Sequence, residues 1–391
     1  MRENVFEGDQ RVRITWARFA WLAALLGINA AMLVSAPPLS AIPAWSRRYG
    51  APCGLCHDYP SLQLTGQGLD FFRRGHRLKG DAFDKDFTHV LSAHIEWEYD
   101  VVEGESTPFQ KPAFHFHAGG AVSSHFSAYV DANVGEGELE TAYVQYTAEK
   151  GDDAYFTARG GKISPTLVRN YGNGLMASAS TPLVFTDAAL GTNPFTLARD
   201  SFGLDVAGRW KSFFVQAGVV NGEDVPGQAS VGTHKDLFVS AEYALPDGVS
   251  GVGVLYYRGG YDIGDPDTGF LVDQYDRVGF VANYTKDRFR IAGAYLWGRD
   301  RIETLTDQDL RGWYAQVDVH PVPFLVPFAR YDDATAYAGD DPLRTQKGTV
   351  GCAIRAFETE ITGGKIVLEV SRTRQGGVYS TSGLVNLLWI F

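Results

Sequence analysis

A Cys-Gly-Leu-Cys-His run near the N-terminus holds the residues best suited to chemistry. Cys53 and Cys56 are three positions apart, and His57 follows the second thiol directly. This is the attachment pattern for haem c, in which two thiols add to the haem vinyl groups and the adjacent imidazole binds the iron. A thioredoxin-like redox pair and half of a zinc site are the rival interpretations, but neither a second Cys pair nor a βαβ pattern accompanies the motif. The sequence therefore predicts one covalent haem c.

The second axial position of the haem iron has several candidate ligands. His76 lies on the same short segment, and a helix through residues 61–74 would bring it back over the ring. We take His76 as the first candidate, with His57 as the proximal ligand. Water or an open position is also compatible with the sequence. The remaining side-chain candidates are His94, His115, His117 and Met176.

Residues 1–41 indicate an export signal. Four arginines precede an apolar run from Phe19 to Val34, and cleavage is expected after Ala41. An uncleaved anchor helix is the alternative, although the run is shorter than a full membrane span and contains Asn29. The whole chain has a formal net charge of −11, which excludes nucleic acid as an expected partner and favours cations near the protein.

From residue 87 to 391 the sequence alternates between apolar and polar residues. Such a strand has one face for lipid and one for water. Sixteen segments follow this pattern, at 87–101, 112–123, 125–134, 138–148, 153–163, 201–210, 212–220, 236–245, 249–258, 274–286, 288–299, 308–320, 323–332, 344–357, 360–374 and 381–391. The pattern predicts an all-β fold, a transmembrane antiparallel β-barrel of about 16 strands in a bacterial outer membrane. A soluble β-sandwich is the rival, but it need not alternate short and long connections.

The connections between these segments alternate in length, as they do in bacterial barrels with short periplasmic turns and long external loops. Longer links are expected at 103–111, 164–200, 221–235, 259–273, 300–307 and 333–343. A helical haem c segment at 42–86 is too short to cover both faces of a macrocycle, so it should lean on or enter the periplasmic end of the lumen.

Other expectations concern the longest loop, the acidic residues and the third cysteine. The 164–200 link resembles the porin loop that folds into the channel, although an ordinary external loop is possible. Cys352 shares parity with lipid-facing residues and receives no function. Acidic residues in the expected external loops suit cations such as ferrous iron or calcium, but they also serve solubility; they are Glu103, Glu105, Glu223, Asp224, Asp262, Asp265, Asp267, Asp273, Asp332, Asp333, Asp340 and Asp341.

The haem segment also resembles a known family. Residues 42–52, the CGLCH motif and residues 64–78 are similar to the fused monohaem cytochrome–porin proteins of bacterial outer membranes, which include the outer-membrane iron oxidases of iron-oxidising bacteria. The resemblance is close over this segment and covers only the architecture of the barrel. His76 stands where the family pattern has Tyr. The chain ends in Phe391, like the terminal aromatic that barrel-assembly machinery recognises.

Two functions follow as expectations. In the first, an extracellular donor such as ferrous iron reduces the haem, which passes electrons to a periplasmic electron carrier; the resemblance implies a ferrous iron oxidase. In the second, the barrel is a haem-plugged or redox-gated porin for small solutes. Outer-membrane lipid surrounds the protein in both.

Overall fold

The computed structural model is a closed antiparallel barrel of 16 strands. It describes residues 44–58, 61, 63–81, 86, 89–103, 112–151, 153–163, 176–186, 200–222, 234–265, 269–302, 307–338, 341–358 and 362–391. The expected signal at 1–41 lies outside these residues. Each barrel strand pairs with the next along the chain, and the last pairs with the first, as in the partners Val101 and Gly383. The all-β fold and the strand number predicted from alternation are confirmed.

The elements follow in simple order. A short segment before the barrel contains α1 (Ala44–Tyr49), β1 (His57–Asp58), β2 (Gln63–Leu64) and α2 (Gly66–Arg73). The barrel strands are β3 (Leu91–Val102), β4 (Ala113–Ala121), β5 (Phe126–Asn133), β6 (Glu138–Lys150), β7 (Ala154–Ile163), β8 (Ser201–Trp210), β9 (Phe213–Asn221), β10 (Lys235–Ala244), β11 (Gly251–Asp265), β12 (Gly269–Lys286), β13 (Phe289–Ile302), β14 (Gln308–Val319), β15 (Leu325–Ala338), β16 (Asp341–Glu358), β17 (Gly363–Gln375) and β18 (Val378–Ile390).

The outer surface of the barrel is apolar because alternate residues of every strand point away from the lumen. Leu204 and Val350 are 65% and 60% exposed, and Cys352 shares the outward parity of Val350 as expected. Aromatic side chains collect at the end with the short turns, as in the girdles of membrane barrels. They are Trp210, Phe213, Tyr284, Phe289, Phe324 and Trp389. This surface belongs in a lipid bilayer.

The inner surface carries charges in pairs. Arg277 and Asp300 are fully buried and joined at 2.5 Å, and Arg330 and Asp332 are fully buried and joined at 2.9 Å. A buried charge is tolerated when an opposite charge and hydrogen bonds replace the lost water. The lumen is therefore polar and cross-linked.

Two of the expected external loops are shorter than the sequence suggests. The 259–273 link is mostly strand, because β11 and β12 stay paired out to Asp265 and Gly269. The 333–343 link is likewise strand, because β15 and β16 stay paired to Ala338 and Asp341. These predictions of long loops were wrong. Main-chain pairing persists past the lipid-facing band, where the outward residues become polar and the apolar alternation fades.

Residues 176–186 of the longest link fold into the lumen. The amides of Ala179 and Ser180 donate to Glu369, and the amide of Leu183 donates to Asp332 at 3.0 Å. Arg330 donates to Ser178 at 2.9 Å. For this described part of the link, the expectation of a channel-narrowing loop is confirmed.

Helix α2 begins later than the expected helix at 61–74. Thr65 caps its N-terminus by accepting a hydrogen bond from the Gly68 amide at 3.1 Å, and the preceding residues form the β1–β2 hairpin. Glycine at 75 and His76 then take positive φ angles of 80° and 59°, which end the helix. Within the described residues, neither helix is long and apolar enough to cross a membrane.

Candidate functional site

The CGLCH motif lies at the end of the barrel with the short turns. Residues 53–55 form one 3₁₀ turn, so the backbone positions of Cys53 and Cys56 are one turn apart. Leu55 is 42% exposed, and Cys56 and His57 are partly exposed. Just beyond the motif, the Gln63 side chain donates to Asp318 at 3.1 Å. The motif therefore sits at the edge of the lumen beside the end of β14, open to solvent.

Two glycines allow the backbone contacts that hold the motif in place. A Cβ atom added to Gly68 would lie 2.0 Å from the carbonyl oxygen of Cys56. One added to Gly66 would lie 2.7 Å from the carbonyl oxygen of Gly248, in the turn between β10 and β11. Larger residues would push α2 away from the motif or from the barrel. The start of α2 therefore packs closely against the motif on one side and against the β10–β11 turn on the other.

The C-terminal half of α2 is tied to the barrel wall by buried charges. Arg73 pairs with Glu242 of β10, and its guanidinium lies 3.8 Å from the ring centre of Phe214. Arg74 pairs with Asp70 of the same helix at 2.9 Å and with Glu149 of β6 at 2.8 Å. Removing one member of a buried ion pair costs roughly 3–5 kcal/mol because the other charge stays buried. These pairs hold the helix across the lumen.

Further contacts join the segment to β4 and to the turn between β4 and β5. Arg77 is buried and donates to the carbonyl oxygens of Ser123 and Ser124 in the turn between β4 and β5, at 3.3 and 2.6 Å. The indole of Trp45 donates to the carbonyl oxygen of Gly119 in β4 at 3.1 Å. We call the described residues between 44 and 81 the plug segment. These contacts place it at the barrel mouth, where the sequence expects it to lean on or enter the lumen.

His76 is enclosed by aromatic side chains and is 4% exposed. Its ring stacks on Trp45 with centroids 4.6 Å apart and on Tyr129 of β5 at 4.1 Å. Burial lowers the pKa of His76 to about 3, so the imidazole is neutral, which is the form that binds metals. The hydroxyl of Tyr143 lies 3.1 Å from Nδ1. When Nδ1–H donates to that oxygen, the lone pair of Nε2 is left for a metal.

Helix α2 places the motif and His76 along one of its faces. The Cys56 carbonyl lies against Gly68, and the His76 ring lies edge-on to Phe71 and Phe72, at centroid distances of 5.9 and 5.2 Å. Residues three and four apart share a helix face. The motif and His76 therefore contact α2 at positions about one helical turn apart on the same face. Ligation of the haem iron by His76 stays a prediction.

Replacing His76 with Phe tests this ligand without emptying the aromatic stack. Phe keeps a ring between Trp45 and Tyr129 but removes both nitrogens. We expect the absorption spectrum of the oxidised haem to change from low-spin to high-spin. His125→Phe, at an exposed turn, is the matched control and should leave the spectrum unchanged. An unaltered spectrum in His76→Phe would mean that His76 only packs, and the ligand would be sought among the other candidates.

The structure gathers the three other candidate histidines on one wall. His94 of β3 and His115 and His117 of β4 face the lumen, as their parity predicts. Nδ1 of His94 lies 2.8 Å from Nε2 of His117. The Tyr129 hydroxyl lies 3.0 Å from Nδ1 of His117, so this ring separates the group from His76. Met176 is buried elsewhere, and its carbonyl accepts from Lys365.

Sequence reasoning missed the partners of these histidines. Trp45, Tyr129 and Tyr143 surround His76, and Asp131 and Glu140 face the His115 side chain. Strand parity could have placed Tyr129 and Asp131 inward, since positions two apart share a face. Which histidine each would meet depends on cross-strand register, and that is visible only in the folded barrel.

The prediction that these acidic residues lie in external loops is partly wrong. Asp332 and Asp273 are fully buried, and Asp332 is paired with Arg330. Asp333 is 7% exposed and is bonded to Arg344. Their strands continue where loops were expected. Asp332 faces the lumen with Arg330. Asp333, the next residue of β15, shares the outward parity of Tyr331 and pairs with Arg344. Glu105, Glu223, Asp224, Asp267 and Asp340 lie outside the described residues.

No family model and no curated protein matches the chain. Solved structures do match its fold. OmpT of Vibrio cholerae, an outer membrane protein in its in-vitro folded trimer form, is 10% identical with a TM-score of 0.54, over 77% of this chain and 98% of that one. Its loop L8 deletion mutant is also 10% identical, with a TM-score of 0.53 over the same shares.

The anion-selective porin from Comamonas acidovorans is 11% identical with a TM-score of 0.51, over 77% of this chain and 98% of the porin. At such identities the likeness shows the fold alone. The shared fold and the apolar outer surface agree: this chain is a porin-like, 16-stranded β-barrel of the bacterial outer membrane.

Proposed function

We propose that the plug segment carries one covalent haem c and that the protein transfers electrons from an extracellular donor to a periplasmic electron carrier. The observation that supports this most is the place of the CGLCH motif, at the solvent-exposed edge of a segment that is bonded to the inner wall of the barrel. A periplasmic partner can approach this edge. The rest of the segment reaches into the lumen toward the other side of the membrane.

The residues of the plug segment fit a covalently bound haem c. The thiols of Cys53 and Cys56 would form the two thioether bonds, and His57 would be the proximal ligand, with His76 as the distal candidate. The bound haem supplies a centre that accepts and releases one electron at a time. The exposure of Leu55, Cys56 and His57 leaves room for a macrocycle beside the plug segment.

The packing of the lumen favours electron transfer over free diffusion. A 16-stranded barrel would otherwise enclose an aqueous channel. Here the plug segment bridges β4, β6 and β10, while residues 176–186 bind to β15 and β17. An electron needs no open channel, whereas a solute does. The resemblance of the haem segment to the iron oxidases makes ferrous iron the donor to test.

A haem-plugged or redox-gated porin for small solutes is the second candidate. The likeness of the barrel to porins favours it. In that case the charged contacts of Arg73 and Arg74 would act as a releasable latch. The two candidates differ in what crosses the barrel: electrons alone in the first, and small solutes in the second.

One experiment separates the candidates. Ferrous iron is added without oxygen to the purified, oxidised protein while the haem spectrum is recorded, and the same preparation is placed in planar lipid bilayers. We expect each ferrous ion to be oxidised to ferric iron as one haem is reduced, with little ionic current through the barrel. A haem that stays oxidised in a freely conducting barrel would refute the electron-transfer proposal and support the porin.

A further inference from the structure

The lumen wall holds a second group of metal-binding side chains, apart from the haem motif. His115 of β4, Asp131 of β5 and Glu140 of β6 each offer one ligand atom, and these atoms lie within 4.8 Å of one another. His94 and Glu96 of β3 flank His115 on its other side. Imidazole with carboxylate is a donor set that suits divalent transition metals.

His115 is the central residue of this group. It is 8% exposed, and its buried Nδ1 has no hydrogen-bond partner within the described part of the chain. The same holds for the buried Oδ1 of Asp131. A buried polar atom without a partner carries a desolvation cost and calls for a specific explanation. Here the two unpartnered atoms face each other.

The distances fit a shared ion better than a direct bond. Nδ1 of His115 lies 3.5 Å from Asp131 and 3.6 Å from Glu140, which is too long for a good hydrogen bond. Two ligands bound at about 2.1 Å to one tetrahedral ion are ~3.4 Å apart. The two distances from His115 Nδ1 match that separation, and the third pair of ligand atoms lies within 4.8 Å.

We propose that His115, Asp131 and Glu140 bind a divalent first-row transition-metal ion in the lumen. Nδ1 of His115 and one carboxylate oxygen each from Asp131 and Glu140 are the protein ligands. A second imidazole nitrogen, Nδ1 of His117, lies 3.3 Å from the same Asp131 oxygen. The ion balances the two carboxylates, whose charges would otherwise repel each other.

The site lies near the external end of the barrel wall. His115, Asp131 and Glu140 are each two residues from the external end of their strand, a distance of roughly 7 Å at 3.3–3.4 Å per residue. A cation entering from outside the cell therefore meets these ligands before it meets the plug segment. Metal binding here does not depend on the proposed haem, and zinc binding is measured without a haem signal.

Binding of Zn²⁺ to the full-length protein in detergent tests the proposal. Equilibrium dialysis followed by elemental analysis should find one tightly bound zinc ion per chain. His115→Ala should weaken its affinity at least about tenfold, since even loss of a group outside the ligand shell can cost that much. Asp131→Asn, which keeps the side-chain volume, and Glu140→Gln should weaken it as well.

Matched variants fix the position of the ion. His234→Ala removes a histidine of another part of the barrel, which pairs with Asp262, and should leave zinc affinity unchanged. Glu96→Gln should also leave it unchanged. Equal zinc binding by the wild type, His115→Ala and Asp131→Asn would overturn the proposal, and so would a loss confined to Glu96→Gln. A haem spectrum altered by His115→Ala in zinc-free protein would assign His115 to the haem iron instead.

Discussion

The Cys53→Ala, Cys56→Ala double variant should fold into the barrel and carry no covalent haem. Both thiols are changed because a single remaining thioether would keep the group attached. Denaturing gels stained for haem peroxidase activity should show a band for the wild type and none for the variant. The loss should be complete, because non-covalent haem does not survive denaturation and the chain has a single CGLCH motif.

The fold should withstand this change. Cys56 is partly exposed, and the plug segment is anchored by other residues, through the buried pairs of Arg73 with Glu242 and Arg74 with Glu149. Cys352→Ala is the matched control: it removes a thiol on the outward face of β16 and should retain the haem band. Haem staining that persists in the double variant would refute attachment at this motif.

Much of the barrel could be predicted from the sequence because the physical cause is local. Each strand must present one apolar and one polar face, so alternation gives the number of strands without knowledge of their partners. β8, for example, runs from Ser201 to Trp210, the same bounds that alternation predicts. The even strand number and the place of the short turns followed from the same pattern.

The strand ends and loops were harder to predict. Near Asp332 and Asp273 the polar residues signal a loop when only composition is considered. In the barrel they are inward positions of long strands and pair with arginines or become buried. Charge alone does not distinguish a residue in a solvated loop from a residue in a lumen ion pair, because a charged residue avoids the lipid face in both places.

The candidate site was predictable only in part for a similar reason. Cys53, Cys56 and His57 form a motif because haem attachment needs adjacent residues. The stack around His76 joins Trp45 from before the motif to Tyr129 of β5, and the ligands around His115 come from three strands. Such contacts depend on the register of the closed sheet and on the path of the plug segment.

Electron transfer across a sealed membrane tests the central proposal most directly. The protein is reconstituted in lipid vesicles that enclose an oxidised soluble cytochrome c, and ferrous iron is added outside in the absence of oxygen. Some of the inserted barrels expose their external mouth to the added iron and the CGLCH motif to the enclosed cytochrome. For each ferrous ion oxidised outside, one molecule of enclosed cytochrome should be reduced.

The haemless double variant is the decisive control, because it keeps the barrel and removes only the proposed electron carrier. The proposal predicts reduction of the enclosed cytochrome with the wild type, and no more than the rate of protein-free vesicles with the Cys53→Ala, Cys56→Ala variant. Equal reduction by both proteins would show that iron passes through the barrel itself. That result, or an enclosed cytochrome that stays oxidised with the wild type, would contradict electron transfer through this protein.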